Sequence, residues 1–259
     1  MPDIQPVGSD RPSPPTAGCV RPESLEYLMT DDEQVPAEEG PRDTGSDEPV
    51  DASSGQVRTT LREVLTESRR LGFLGPGPID DHIVHATGFL PLVGTATEVL
   101  DLGSGGGLPG LVLLTELEEA SLVLLDASTR RCDFLRWAVE RLGCADRATV
   151  RCGRAEQLAH DPDLRGRFPV VVARSFGAPA VTAECAVGFL SGPGSRLLVS
   201  EPPDAVEGRW PAEGLDTLGL RPGAREQVGR TTVQVVELVS MPPSTVPRRV
   251  GVPAKRPRF

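Results

Sequence analysis

The short run Glu98-Val-Leu-Asp-Leu102 passes directly into Gly103-Ser-Gly-Gly-Gly-Leu-Pro-Gly110 and then into Leu111-Val-Leu-Leu114. Few folds accept that order. The brief, branched apolar run predicts a buried strand, the glycines a tight turn, and the following residues a helix from about 108 to 117. A strand that ends in glycines and opens a helix lets a ligand approach the backbone closely and meet the helix N-terminus.

The rest of the chain repeats the alternation. Further strands are expected over 121–126, 149–152, 169–173 and 195–200. Between them lie helical patterns, one capped by Ser128 and running through Leu142, another from Pro179 to about Leu190. Ahead of the glycine turn, apolar residues at 57, 61, 64, 65 and 71 have the three-and-four spacing of an amphipathic helix. A second helix should start near Pro78 and run through Ile79, Ile83 and Val84 towards Phe89. Val228 and the run 232–239 leave no room for a helix between them, so they should pair antiparallel. Alternating β and α units imply an α/β fold with helices on both faces of a sheet, five or more strands being parallel and the last pair a hairpin.

Composition matters chiefly for the first 55 residues. They hold 13 Asp/Glu and 3 Arg, which gives −10, the whole formal charge of the chain, so residues 56–259 are neutral. Nine prolines and few large apolar residues there cannot offset the entropy of ordering, and a disordered acidic tail is expected over 1–55. The stretch 24–29 could form a brief helix or docking segment. The expected domain spans 56–259, with N-terminal helices to 95 and a basic end over 247–259. Five cysteines, at 19, 132, 144, 152 and 185, form no C-x-x-C pair, which argues against a zinc ribbon or a disulfide framework. No basic start leads into an apolar stretch, and no run nears the roughly 20 apolar residues of a membrane helix. A cytoplasmic protein with reduced thiols, no membrane partner and no metal is expected.

Gly105, Gly107 and Gly110 formally satisfy the G-x-G-x-x-G dinucleotide pattern. The register speaks against a pyrophosphate. Asp101 stands just before Gly103, where its charge would repel phosphate but suit a cation such as the ammonium of S-adenosylmethionine. Asp126 ends the next strand, 25 residues on, where a carboxylate can accept both hydroxyls of a ribose. Ribose binding fits either cofactor, so only Asp101 separates them.

Arg154 and Arg174 follow strands at the carboxyl edge, where open α/β sheets bind ligands. A guanidinium there can grip phosphate or donate to a guanine O6. Phe176 could stack on a base or sit in the core. His82 and His85 share a helix face, and without a third ligand nearby a structural role fits both better than a metal. The basic end, with Arg248, Arg249, Lys255 and Arg256, has the form expected for phosphate contact, or for a solvated tail.

Together, Leu100–Gly110, Leu124-Leu-Asp-Ala-Ser-Thr-Arg-Arg-Cys-Asp-Phe-Leu-Arg136, Ala173-Arg-Ser-Phe176 and Pro247–Pro257 resemble the bacterial 16S ribosomal RNA guanine-N7 methyltransferases, the glucose-inhibited division protein B family. The resemblance covers about 70–258. It implies a class I S-adenosylmethionine-dependent methyltransferase with a Rossmann-like seven-stranded sheet, acting as a monomer on 16S rRNA or the 30S subunit. Carried onto this chain, Asp101, Gly103, Gly105, Gly107, Leu108 and Asp126 would hold the cofactor, and Ala155 and Glu156 its adenine. Arg174 would serve both cofactor and transfer; Arg154, Arg248, Arg249, Lys255 and Arg256 would face RNA. The chain departs from the family where Arg-His-Ile-Leu-Asp-Ser becomes Asp81-His-Ile-Val-His-Ala86, and where Leu-Lys-Gly becomes Val199-Ser-Glu201. Those changes leave open a paralogue acting on another RNA or a small molecule, or one that binds without catalysis. An NAD-linked oxidoreductase remains the reading that Asp101 opposes.

Overall fold

The computed structural model describes residues 52–202 and 205–259. The acidic tail proposed for 1–55, apart from the helical backbone beginning at 52, lies outside them, as do the 24–29 segment and Cys19. In chain order the elements are α1 (Ala52–Arg70), α2 (Ile79–Thr87), α3 (Leu90–Val93), β1 (Glu98–Leu102), α4 (Gly110–Glu116), β2 (Ser121–Asp126), α5 (Thr129–Arg141), β3 (Ala148–Cys152), α6 (Ala155–Leu158), β4 (Val170–Ala173), α7 (Pro179–Val187), β5 (Arg196–Glu201), α8 (Ala212–Asp216), β6 (Leu220–Val228), β7 (Thr231–Leu238) and α9 (Val252–Lys255).

The strands form one seven-stranded sheet in the order β3-β2-β1-β4-β5-β7-β6. The first five are parallel, and β7 pairs antiparallel with both β5 and β6. The order reverses between β1 and β4, so the ends of these strands border the crevice where open α/β sheets bind ligands. Successive side chains of a strand point to opposite faces. Val99, Leu122, Leu124, Val170, Val172 and Leu198 therefore pack in one apolar layer with α1, α4 and α5. Leu100, Leu102, Val123, Leu125, Val171 and Val199 join the other layer, with α7 and α8. Asp101 and Asp126 share the first face by the same periodicity.

Two expectations shift. The second helix stops at Thr87, where the Phe89 N–H donates to the Ala86 carbonyl at 3.2 Å, and Phe89 instead caps α3. The hairpin's first strand begins at Leu220 rather than near Val228. No helix among the described residues is long and apolar enough to cross a membrane.

Candidate active site

The loop from Gly103 to Pro109 lies over the end of β1 with positive φ at Gly103 (75°), Gly105 (54°) and Gly107 (101°). Residues with a Cβ rarely adopt those angles. Close packing adds a further demand. At Gly103 a Cβ would meet the Phe176 ring, and at Gly106 the Ser68 hydroxyl and the Phe73 carbonyl. Ser68, fully buried at the end of α1, donates to the Gly106 carbonyl at 2.8 Å. The first helix thus clamps the loop from above.

Asp101 is fully buried beneath this loop. Its Oδ2 accepts the Gly110 N–H at 3.0 Å, at the start of α4, while Oδ1 has no hydrogen-bond partner. Burial pushes this carboxyl up to about 7, against the pull of the Ser104 and Gly110 donors. Asp126 sits at the end of β2, with Oδ2 accepting the Gly105 N–H at 2.9 Å and Oδ1 the Ser128 N–H at 2.8 Å. The Arg131 guanidinium stands 3.6 Å from Oδ2. A carboxylate offers roughly four acceptor positions, so about two remain for a ligand's hydroxyls.

These elements border a cleft of about 690 Å³ of empty space open to solvent, with Gly103, Ser104, Gly105, Gly106 and Leu108 on one side and Phe73, His82, Arg131 and Arg174 on others. Arg174 divides it from a second cavity of about 770 Å³, lined by His85, Phe176, Glu201, Arg209 and Trp210 among others. Ser175 lines both, at φ 54°, the only non-glycine residue with positive φ among those described. Such a conformation costs on the order of 1–3 kcal/mol and persists where surrounding structure imposes it.

Arg174 is oriented by a relay. Its NH2 donates to His82 Nδ1 at 3.1 Å, and His82 Nε2 lies 3.1 Å from the Pro76 carbonyl. Accepting at Nδ1 while Nε2–H donates to the carbonyl requires the Nε2–H tautomer. The other terminal nitrogen of Arg174 is buried without a partner. Burial lowers its pKa below the usual arginine value and Asp101 opposes that shift. His85, partly buried, is driven down to about 4 by burial, then by Arg174 and His82.

The remaining sequence candidates lie apart from this relay. Ala155 and Glu156 form the start of α6, with the Glu156 carboxylate accepting the Gly251 N–H at 3.0 Å and pairing with Arg154 at 3.1 Å. Arg248 makes a two-pronged pair with the fully buried Glu184, at 2.7 and 2.6 Å, and Arg258 stands 3.5 Å from the same carboxylate. Burial opposes ionisation of Glu184, yet the Arg248 bonds hold its pKa below the usual glutamate value. His160 and Arg165 bond the carbonyls of Pro247 and Val246. The basic end is therefore pinned to the body, and its basic groups divide: Arg248 and Arg258 pair with the buried Glu184, whereas the exposed Arg249, Lys255 and Arg256 do not.

Sequence reasoning passed over Ser68, Phe73, Ser175, Arg209 and Trp210, and took His82 as structural without its partner. Of the relay, only Arg174 had a usable signal, its place at the carboxyl end of a strand; nothing in the sequence pointed from it to His82. The family comparison now has a geometry to meet. Residues 78–201 match the family model GidB, described as rRNA small subunit methyltransferase G. The ribosomal RNA small subunit methyltransferase G of Synechococcus sp. (strain RCC307) is 35% identical over 178 residues, covering 63% of this chain and 72% of that protein. The chain belongs to this family. Its namesake from Rubrobacter xylanophilus is 35% identical over 181 residues, 62% of this chain and 65% of that protein. Among solved structures, a SAM-dependent methyltransferase from Aquifex aeolicus superposes with a TM-score of 0.50 at 16% identity, covering 68% of this chain and 98% of that one. That likeness concerns the fold, which is the class I methyltransferase fold.

Proposed function

We propose that this chain transfers a methyl group from S-adenosylmethionine to N7 of a guanine in 16S ribosomal RNA, as a cytoplasmic monomer acting on the 30S subunit or its RNA. The observation that carries the reading is the glycine cleft, whose loop is held by Asp126 at Gly105 and whose following helix is held by Asp101 at Gly110, meeting a second cavity at Arg174 and Ser175. Two features fit the cofactor. Asp126 retains acceptor capacity for a ribose, and the buried Asp101 has an unpartnered oxygen whose charge favours a cation over a phosphate. The loop from Gly103 to Leu108 would bear on its methionine part. Because the Glu156 carboxylate is occupied by Gly251, contact with the adenine falls to the backbone at Ala155 and Glu156. Bound there, S-adenosylmethionine supplies an electrophilic sulfonium methyl.

The chain's own part is orientation. Guanine N7 has an in-plane lone pair and no proton to lose, so no general base is required, and rate comes from proximity and alignment. The second cavity agrees with that demand. His85, at about 4, is a weak base, and both oxygens of Glu201 are already engaged. Arg174, fixed by His82, lies where acceptor and cofactor sides meet and would align them. Exposed Arg249, Lys255 and Arg256, and the half-exposed Arg154, would contact RNA phosphates.

The test is transfer of labelled methyl to 30S subunits lacking guanine-N7 methylation, followed by mapping of the modified base. Label in N7-methylguanine at one site is expected. Intact cofactor binding by calorimetry with no label in RNA would refute the acceptor assignment.

A further inference from the structure

The cavity beyond Arg174 contains a carboxylate, Glu201, at the end of β5. Facing a polyanion, a free carboxylate would repel. Here it is spent within the chain. The Glu201 side chain is 4% exposed; Oε1 accepts the Trp210 indole N–H at 3.0 Å and Oε2 pairs with Arg209. Arg209 and Trp210 line the same cavity, and the Arg209 side chain keeps 31% of its surface open. The carboxylate therefore fixes a guanidinium and an indole in the cavity wall, beside the Phe176 ring and Pro179.

On the guanine reading above, we propose that Arg209 is a specificity-determining residue for the acceptor base, donating to its O6 edge, and that Glu201 is the residue that positions it. N7 must stay open to receive the methyl group, so on that edge of the base recognition falls to O6. A guanidinium only donates; guanine offers O6 as an acceptor, whereas adenine presents an amino donor at that place. The partly buried Phe176 ring supplies a flat apolar surface on which a base stacks, and Trp210, packed in the core behind the wall, backs it. The cavity thus selects guanine over adenine through a group that the chain contributes after β5.

The test combines two readouts. Transfer is titrated with 30S subunits for Arg209→Ala, Arg209→Lys, Glu201→Gln and the double variant Arg209→Ala/Glu201→Gln, which leaves no unpaired buried charge and keeps an acceptor for Trp210. Separately, guanosine and adenosine 5′-monophosphates are titrated against the fluorescence of Trp210, made the sole tryptophan by Trp137→Phe. Expected are a KM for 30S raised about tenfold in Arg209→Ala and in the double variant, with kcat nearly unchanged. Glu201→Gln should raise KM by about threefold and Arg209→Lys should recover part of the loss. Guanosine monophosphate should perturb Trp210 more than adenosine monophosphate does, and loss of Arg209 should erase the difference. Unchanged KM in the double variant, or equal responses to the two nucleotides, would overturn the assignment. If native protein leaves 30S unmethylated but keeps an Arg209-dependent preference for guanosine monophosphate, the pocket assignment stands and the ribosomal acceptor alone is refuted.

Discussion

The two cavities that meet at Arg174 are built in opposite ways. One wall of the glycine cleft is backbone from a continuous stretch, Gly103 to Leu108, held from behind by the buried carboxylates that end two adjacent strands. The cavity beyond Arg174 is made of side chains from α2, the turn after β4, the end of β5 and the loop before α8. Backbone geometry tolerates few substitutions, because an added Cβ collides or a positive φ becomes strained. A side-chain wall can change its charges while preserving its shape. The family differences at Asp81, His85 and Glu201 fall on or beside the second cavity. The structure shows how they are absorbed: Asp81 lies 3.8 Å from Arg230 at the surface, and Glu201 is paired with Arg209.

The largest effect should follow from breaking the backbone-built side at its tightest point. In Gly110→Ala the new Cβ would collide with Asp101 Oδ2 and the Leu124 side chain. A loss of about 3 kcal/mol is expected, read as a lower Tm. A Tm equal to that of the native protein would show that the start of α4 has slack. Next, Asp126→Ala should weaken S-adenosylmethionine binding by about 100-fold in calorimetry, because on the proposed function it would remove two charge-assisted hydrogen bonds to the ribose. A change below about threefold would move the ribose elsewhere.

Asp101 sharpens the contrast through pH. Its pKa is raised from 3.8 to about 7 by burial. Between those values the unfolded chain has lost the proton that the folded chain keeps, so stability falls as pH rises through the window and levels off above it. Asp101→Asn should therefore gain stability on the native protein as pH rises from acid to 8, before ligand is added, read as a Tm difference that widens with pH. Parallel Tm-against-pH curves for the two proteins would contradict that. The smallest effect belongs to the relay. His82→Ala should lower kcat by about tenfold with little change in cofactor affinity, and His82→Gln, which keeps an acceptor for Arg174, should recover part of it. Equal kcat in all three would leave Arg174 positioned by something else.

The same division explains what could be read in the sequence. β1 and β2 match their expected bounds, since both are short apolar runs ended by a turn or cap signal. β6 was cut short because Pro222 and Gly223 argue against a strand. The structure reconciles them: β6 is an edge strand whose pairing with β7 shifts register between Pro222 and Arg225. In the cleft, Gly103, Gly105 and Asp126 could be named because their roles come from local chain geometry. Arg209 could not. It lies in a polar loop, and its place depends on a carboxylate eight residues back that folding buries. Ser175 carried no signal either, for serine has no special preference for the conformation it takes. Among the basic residues near the C-terminus, sequence could not tell Arg248 from Arg249, since Glu184 lies 64 residues from Arg248 along the chain.

The most direct test of the division at Arg174 uses one variant and two readings. Arg174→Ala is titrated with S-adenosylmethionine by calorimetry, and the same preparation is followed through a single turnover of methyl transfer to 30S subunits. Cofactor Kd within about threefold of the native protein, with transfer slowed by about 100-fold, is the predicted pair. Loss of cofactor binding in step with transfer would place Arg174 inside the cofactor site and contradict the separation of the two sides.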